Sequence, residues 1–265
     1  MKTLIMITAL ASVASAETKA TIVVCSPGSP GTTDEAQPTM DAFAATVSDA
    51  TGANLVAVYD PSDEGGAKRL TNASIGIVSL PFFLEHEQDL GLHARLVAVQ
   101  KGRPALDRWS LVAKKSRAGN PAALAKFTIV GNTAFAPAFV RGVVLAEFGK
   151  LPSDVTLKQS TAVLSALRHA ADGDNTAIIV DGAQEASLAQ LPYAKDLDVV
   201  ARSEAFPAGL VVTVDRRINN TQWKVIEKAL LAMPADKLDM VRMSQFTPVD
   251  DKLIDKARRA YTSAP

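Results

Sequence analysis

The chain has a single cysteine, Cys25, so it can form no internal disulfide. Its stability must therefore come from a hydrophobic core, and 265 residues are enough for one large domain or two modest ones. Cys25 itself has two interpretations. A thiolate at the end of a strand could capture a thiophilic ligand such as arsenite, whereas a small buried hydrophobic residue is the commoner role of a lone cysteine.

An excess of charge of either sign is also lacking, because 28 basic residues stand against 28 acidic ones. Aromatic residues make up only 5% of the chain, and no basic stripe with interleaved aromatic residues is present. Binding to a polyanion needs such a stripe, so we expect no nucleic-acid partner. The expected partner is a small molecule or another protein, and we expect the protein to be a monomer.

Catalytic motifs are missing as well. The sequence contains no nucleophile elbow, no phosphate-cradling glycine loop and no paired metal motif. The histidines 86 and 93 lie in or near a short polar run whose neighbours point in different directions on a helix, which is more typical of a solvated face than of a metal site. We therefore predict no enzyme activity, no cofactor and no metal.

The only apolar run of note lies at the N-terminus. Lys2 precedes an apolar stretch over 4–13, which ends in the small-residue pattern 14–16 that signal peptidase recognises. We predict a signal peptide over 1–16, cleaved after Ala16, and an exported, periplasmic protein. The apolar run is too short to span a bilayer, so we expect no stable membrane insertion.

Strand-like apolar runs alternate with helical periodicity along the whole chain, which favours parallel β-α-β units. Helix periodicity is clearest after the polar loop 26–33, where Met40, Phe43 and Val47 recur at spacings of three and four. A further helix is predicted from Pro137 to about Gly149. The predicted strands are 21–25, 55–59, 73–79, 93–99, 109–113, 127–130 and 176–181, and the later predicted helices begin at Ser160 or Thr161, at Asn219 or Asn220, and over 237–243 and 250–261.

A strand that ends in Asp181 is followed by the segment Ser-Glu-Ala-Phe-Pro over 203–207, a crossing strand, and a helix that ends Leu-Leu-Ala-Met at Met233. With the export signal and the two α/β sets, this order resembles the periplasmic phosphonate-binding proteins of ABC transporters. That family has the type II periplasmic binding protein fold. The resemblance implies an α/β chain in two lobes, each a mainly parallel sheet flanked by helices, joined by two crossing strands.

The resemblance also implies where the lobes divide. Lobe one would comprise residues 17–108 plus 214–265, and lobe two residues 109–213. The segment 109–113 would be the outward crossing and Gly209–Val214 the return, with the ligand held between the lobes by hinge closure.

The ligand-binding turn differs from the family pattern. Phosphonate-binding proteins place a Ser-Thr-Ser-Gly turn at a helix N-terminus, whereas this chain has Asn132, Thr133, Ala134 and Phe135. The family also tends to carry a histidine at the start of the following helix, which residues 160–163 lack. Thr133 keeps one hydroxyl, so these differences predict a weaker anion site within a polar, uncharged cleft.

Nine residues are candidates for this cleft, because the carboxyl ends of parallel strands are where ligands bind in open sheets. For the serines and threonines the alternative is helix capping or loop solvation, and for the aromatic residues it is the core. Asp181 either meets a ligand amine or hydroxyl or caps the helix that begins at Gly182. The candidates are Ser29, Thr32, Tyr59, Ser79, Phe82, Asn132, Thr133, Thr161 and Asp181.

Two functions follow from these expectations. The first is a periplasmic solute-binding protein that delivers a small polar or anionic ligand, phosphonate- or phosphate-like, to an ABC permease. The second keeps the fold but makes the protein a sensory or accessory module that binds a partner, such as a sensor kinase or a redox enzyme.

Overall fold

A computed structural model describes residues 20–264, so the predicted signal peptide lies outside the described residues. Strands and helices alternate as the sequence predicts. The strands are β1 (Ala20–Cys25), β2 (Leu55–Asp60), β3 (Ile75–Ser79), β4 (Leu92–Gln100), β5 (Leu106–Asp107), β6 (Trp109–Lys114), β7 (Thr128–Gly131), β8 (Thr156–Gln159), β9 (Thr176–Asp181), β10 (Leu197–Arg202), β11 (Phe206–Pro207), β12 (Gly209–Val214) and β13 (Met243–Pro248). The α-helices are α1 (Thr33–Thr51), α2 (Asp63–Leu70), α3 (Leu80–Leu90), α4 (Val163–Asp172), α5 (Gly182–Ser187), α6 (Asn220–Leu231), α7 (Ala235–Met240) and α8 (Asp251–Thr262).

The first sheet has six strands in the order β13-β4-β12-β3-β1-β2. Strand β1 is parallel to both β2 and β3, and β12 runs antiparallel between β3 and β4. The inner strands are almost wholly apolar because helices cover the sheet, as expected for buried parallel strands. All four strands predicted in the first hundred residues are confirmed.

The second sheet has five strands in the order β10-β6-β9-β7-β8. Strand β7 is parallel to β8 and β9, whereas β6 runs antiparallel between β9 and β10. In the first sheet β12 and the edge strand β13 run against the other four strands, and in the second sheet β6 runs against the other four. Each sheet is thus mainly parallel, and the predicted α/β class with two sheets is confirmed.

The chain passes between the two sheets at a short two-stranded ribbon, in which Phe206 pairs with Asp107 and Pro207 with Leu106. The segments predicted as crossings, 109–113 and Gly209–Val214, are instead full members of the second and first sheets. Strand β12 thus carries the chain back into the first sheet. On the return side the apolar pattern continues without a break from Phe206 into β12, so the sequence does not mark where the ribbon ends there.

Three other expectations need correction. The predicted helix from Pro137 is a 3₁₀ turn at Asn132–Phe135 followed by a π-helical turn at Phe139–Val144, and it ends well before Gly149. Helix α7 stops at Met240 because Arg242 adopts a left-handed φ of 54°, and the chain continues as edge strand β13. The N-cap of α4 is Ala162, which makes no capping hydrogen bond through its side chain, rather than Ser160 or Thr161.

Helix α8 contacts two elements. One is helix α3, which follows β3 of the first sheet, and the other is the π-helical turn at Phe139–Val144, which comes after β7 of the second sheet. Towards α3, the Tyr261 hydroxyl donates to Glu85 (2.8 Å) and the Arg258 guanidinium donates to Glu87 (2.9 Å). Towards the second sheet, α8 lies directly on the π-helical turn at Gly142. A Cβ on Gly142 would overlap the carbonyl oxygen of Ala260, so glycine is what allows this close approach.

We therefore expect Gly142→Ala to destabilise the protein. Alanine is the better helix former by about 1 kcal/mol, but its methyl group has to displace the backbone of α8, and such overpacking costs about 1–3 kcal/mol. The same change at Gly119, where a Cβ would meet no atom within 4 Å, is the matched control and should alter the free energy of unfolding by less than about 0.5 kcal/mol. Urea unfolding measures both, and equal effects of the two substitutions would contradict the packing described for α8.

Among residues 20–264, none of the helices combines the length and the apolar character needed to cross a bilayer.

Candidate ligand-binding cleft

The carboxyl edge of the first sheet brings the loop after β1 next to Ser79. Cys25, the last residue of β1, pairs with Val78, so Ser26 leaves the sheet next to Ser79. Ser79 is the last residue of β3 and stands at the N-cap position of α3, where its side chain makes no capping bond. The polar loop 26–31 and the Ser79 hydroxyl thus lie at one edge.

This loop touches the turn that follows β7 in the second sheet. Gly28 has a left-handed φ of 81°, and a Cβ built on it would come within 3.3 Å of the Asn132 Cβ. Both the backbone angle and the close approach therefore favour glycine at this position. We call the space bounded by loop 26–31, Ser79 and the turn Asn132–Phe135 the cleft.

Three polar atoms at the cleft have no protein partner. Within residues 20–264, the buried side-chain atoms without a hydrogen bond are Ser79 Oγ, Asn132 Oδ1 and Thr133 Oγ1. Buried polar groups are nearly always paired, and an unpaired one costs about 1–3 kcal/mol. All three come from residues that the sequence predicts for the ligand site, and they lie at the ends of strands from two different sheets. This concentration is what a site built for a polar ligand requires.

Two more predicted residues support the loop. Ser29 lies within loop 26–31, and its neighbour Pro30 accepts a hydrogen bond from the buried Tyr59 hydroxyl (3.1 Å). Burial raises the pKa of Tyr59, which keeps the hydroxyl protonated and able to donate. The Tyr59 hydroxyl thus holds the backbone of the loop at Pro30.

Two other predicted residues, Thr32 and Phe82, have roles that the structure accounts for without a ligand. Thr32 is exposed and caps α1, accepting from the Glu35 N–H (3.3 Å) while Glu35 accepts from the Thr32 N–H (2.9 Å). Phe82 is fully buried, and its ring lies 4.5 Å from that of His86. Thr161 is exposed, before the start of α4. A position after a strand does not by itself direct a side chain into the cleft.

Asp181 takes the capping role that the sequence left open. Its Oδ1 accepts from the Gln184 N–H (2.9 Å), and Gln184 accepts in return from the Asp181 N–H (3.0 Å). Its other oxygen lies 2.9 Å from a guanidinium nitrogen of Arg103. The carboxylate is therefore already engaged by the chain itself.

Sequence reasoning missed a second carboxylate that lies beside this pair. Asp107, in the crossing strand β5, is 4% exposed, and its Oδ1 accepts from the N–H groups of Arg108 (2.8 Å) and Gly182 (3.2 Å). Its Oδ2 lies 3.4 Å from Arg103, which also holds Asp181. The network joins the crossing to the start of α5, and only the cluster of charges over 103–108 hints at it.

A second ion pair lies at the end of β2, next to β1. Asp60 is held by Arg69 (2.8 Å) and by the Ser62 hydroxyl (2.7 Å). Burial alone would raise the pKa of Asp60, but these hydrogen bonds outweigh burial and lower it. Arg69 and Arg103 are thus each paired with carboxylates of the chain itself. The three unpaired groups of the cleft, two hydroxyls and an amide oxygen, are uncharged.

Cys25 is fully buried at the end of β1, and its thiol lies 3.4 Å from the Ser62 carbonyl oxygen, to which it donates. Burial, followed by the charges of Asp60 and Asp63, raises the pKa of the thiol. We therefore expect the folded protein to react with a thiol-specific disulfide reagent at least about 100-fold more slowly than the unfolded protein. Absorbance of the released thiolate measures the two rates, and rapid stoichiometric labelling of the folded protein would contradict the buried placement.

No protein-family model matches this sequence. No curated protein matches it either. Solved structures do match, although their sequence identities are low.

The binding-protein component of an ABC phosphonate transporter from Pseudomonas aeruginosa has a TM-score of 0.62 at 16% identity, over 91% of this chain and 85% of that one. XAC2383 from Xanthomonas citri, bound to ATP, has a TM-score of 0.70 at 11% identity, over 92% and 98%. PhnD1 from Prochlorococcus marinus, in complex with methylphosphonate, has a TM-score of 0.61 at 11% identity, over 91% and 96%. The chain therefore has the two-lobed type II fold of the periplasmic binding proteins.

Proposed function

We propose that this protein is a periplasmic solute-binding protein that captures a small polar or anionic ligand in the cleft and delivers it to an ABC importer. The observation that carries the proposal is the set of three unpaired buried atoms on Ser79, Asn132 and Thr133. A ligand between the lobes would give each of them a partner. The proposal involves no chemical step and no cofactor.

The ligands of the structural neighbours support this choice of ligand class. PhnD1 holds methylphosphonate and XAC2383 holds ATP, both of which present phosphoryl oxygens. Hydroxyl groups such as those of Ser79 and Thr133 are suitable donors to oxygens of that kind. Because the neighbours share only the fold with this chain, the ligand class is inferred from the cleft, and the neighbours serve as support.

Capture would work by hinge closure about the crossing ribbon formed by β5 and β11. The proposal keeps two lobes, residues 17–108 plus 214–265 and residues 109–213, with Gly209–Val214 as the return crossing into the first sheet. Loop 26–31 and Ser79 would then close on the turn Asn132–Phe135 from opposite lobes. Opening of the lobes would expose the three unpaired atoms to water, and closure would bring them into hydrogen bonds with the ligand.

A screen by thermal unfolding tests the proposal. Phosphate, phosphite, methylphosphonate, sulfate, small amines and organic acids are each added to the purified protein. A ligand present at 100 times its Kd should stabilise the protein by about 2.7 kcal/mol, which is a shift of several degrees in Tm. The alternative function, a sensory or accessory module that binds a partner protein, predicts no shift with any of these compounds, and that result would contradict the proposal.

A further inference from the structure

The last helix, α8, lies where the two lobes and the crossing ribbon meet. It contacts α3 of lobe one, the π-helical turn at Phe139–Val144 of lobe two, and strand β11 of the ribbon. Its residues Ile254 and Ala257 are buried in an apolar core that contains side chains of both lobes. A movement of one lobe relative to the other must therefore change the contact of α8 with at least one of them.

The contacts of α8 with lobe one are directional. The Tyr261 hydroxyl donates to Glu85 (2.8 Å), and the Arg258 Nε lies 2.9 Å from both carboxylate oxygens of Glu87. The same guanidinium stands over the ring of Phe83, 5.5 Å from its centroid. Charge-assisted hydrogen bonds and cation–π contacts of this kind require a defined geometry. They hold α8 against α3 in one orientation.

A third tie runs to the crossing itself. Lys256 forms an ion pair with Glu204, which lies two residues before β11. A contact this close to a hinge changes little when the lobes rotate about it. The pair therefore anchors α8 near the hinge without deciding which lobe the helix follows.

The contact of α8 with lobe two is of another kind. A Cβ built on Gly142 would overlap the carbonyl oxygen of Ala260 and lie 2.9 Å from the Cβ of Ala264, so backbone and methyl groups meet here. Within residues 20–264, the side-chain hydrogen bonds and ion pairs of α8 run to its own turns, to α3 and to Glu204. Small groups without directional bonds can move past one another, as packed helices do in shear motions.

We propose that α8 is fixed to lobe one and that lobe two slides over it at Gly142 when the lobes open and close, so that α8 limits how far they separate. The inference takes hinge closure from the proposed function and adds the element that controls it. Glycine in the π-helical turn keeps the two backbones close enough to remain in contact during the movement.

Spin labels at three positions show which lobe α8 follows. Asp41 in α1, Ser165 in α4 and Arg259 in α8 are exposed, whereas the native Cys25 is fully buried, so cysteines introduced in pairs at the three sites are labelled selectively. Pulsed dipolar electron paramagnetic resonance of the ligand-free protein gives the distance distribution of each pair. The α1–α8 distribution should be narrow, and the α4–α8 distribution about twofold broader or more, because only lobe two moves relative to α8.

A release variant tests the limit on opening. Tyr261→Phe combined with Glu87→Ala removes the polar contacts of α8 with α3, and the α1–α4 distribution should then gain a component at longer distance. Asp255→Ala is the matched control. It takes the other carboxylate from Arg258, but that pair lies within α8 (2.6 Å), so all three distributions should stay as in the wild type. Circular dichroism confirms that each variant is folded.

The inference is overturned if the α4–α8 distribution is as narrow as the α1–α8 distribution, or if the release variant leaves the α1–α4 distribution unchanged. If the double variant does not fold, Tyr261→Phe alone provides the same comparison with a smaller expected change. None of these measurements uses a ligand, so the proposed function is decided separately by the thermal screen.

Discussion

Replacing Thr133 by valine is expected to weaken ligand binding at least about tenfold while leaving the ligand-free protein as stable as before, or about 1 kcal/mol more stable. The Thr133 side chain is nearly isosteric with valine, and its hydroxyl is buried, with the residue 9% exposed, and has no partner in the protein. Removing an unpaired buried hydroxyl relieves a desolvation cost. The same substitution also removes the protein hydroxyl that would donate a hydrogen bond to the ligand.

The same substitution at Thr32 is the matched control, and its expected effects on stability and ligand affinity are the opposite ones. Thr32 caps α1 through its side chain, so Thr32→Val should cost about 1 kcal/mol of stability and leave the ligand affinity unchanged. Urea unfolding of the ligand-free proteins and isothermal titration with a ligand from the thermal screen give the two quantities. A Thr133→Val variant that loses stability and keeps its affinity would show that the hydroxyl serves the fold rather than the ligand.

Replacing Asp107 by alanine is expected to destabilise the protein by about 2–3 kcal/mol. The change leaves the partly buried N–H groups of Arg108 and Gly182 without this acceptor and takes one of two carboxylates from Arg103. Breaking a buried pair can cost about 3–5 kcal/mol, but Arg103 is partly exposed and keeps Asp181, so the expected loss is smaller. Asp107→Asn keeps one acceptor oxygen and should lose about half as much.

An exposed ion pair gives the control for this prediction. Asp239 lies 2.8 Å from Lys101 with both side chains more than half exposed, so Asp239→Ala should cost less than about 0.5 kcal/mol. Urea unfolding compares the variants on one scale. Equal small losses at Asp107 and Asp239 would mean that the network at the crossing contributes little to stability.

The strands were predictable because each is a short apolar run bounded by turn residues. Strands β1 and β9 have this pattern, and they form the parallel pairs that the alternation with helices predicts. Local capping was predictable for the same reason, since Asn219 caps α6 with Gln222 three residues later. These features depend on neighbours in sequence, which is why sequence alone was enough.

Features that depend on distant residues were not predictable. Arg242 ends α7 by taking a left-handed conformation with no glycine to signal it, and β13 exists only because it pairs with β4. The π-helical turn at Phe139–Val144 is shaped by its contact with α8, more than a hundred residues later. Likewise, Asp107 gains its role from the Gly182 N–H, across 75 positions.

Some of the predicted site residues lie at the cleft with unpaired side chains, whereas others cap helices. The positions of the residues relative to strands and helices explain this difference. Ser79, Asn132 and Thr133 follow directly from strands β3 and β7, where the sheet edge itself places their side chains. Asp181 also ends a strand and Thr32 lies at the end of the loop after β1, but each immediately precedes a helix and is used as its cap. Strand-end position therefore predicts proximity to the cleft, whereas capping competes for the same residue types.

Native mass spectrometry of protein freshly purified from its host tests most directly whether the cleft holds a ligand, when the wild type is compared with the double variant Ser79→Ala, Thr133→Val. The wild type is expected to carry a small-molecule adduct that is released on denaturation, and the double variant, although folded, is expected to lack it. The same adduct at the same occupancy in both proteins would contradict ligand binding in the cleft.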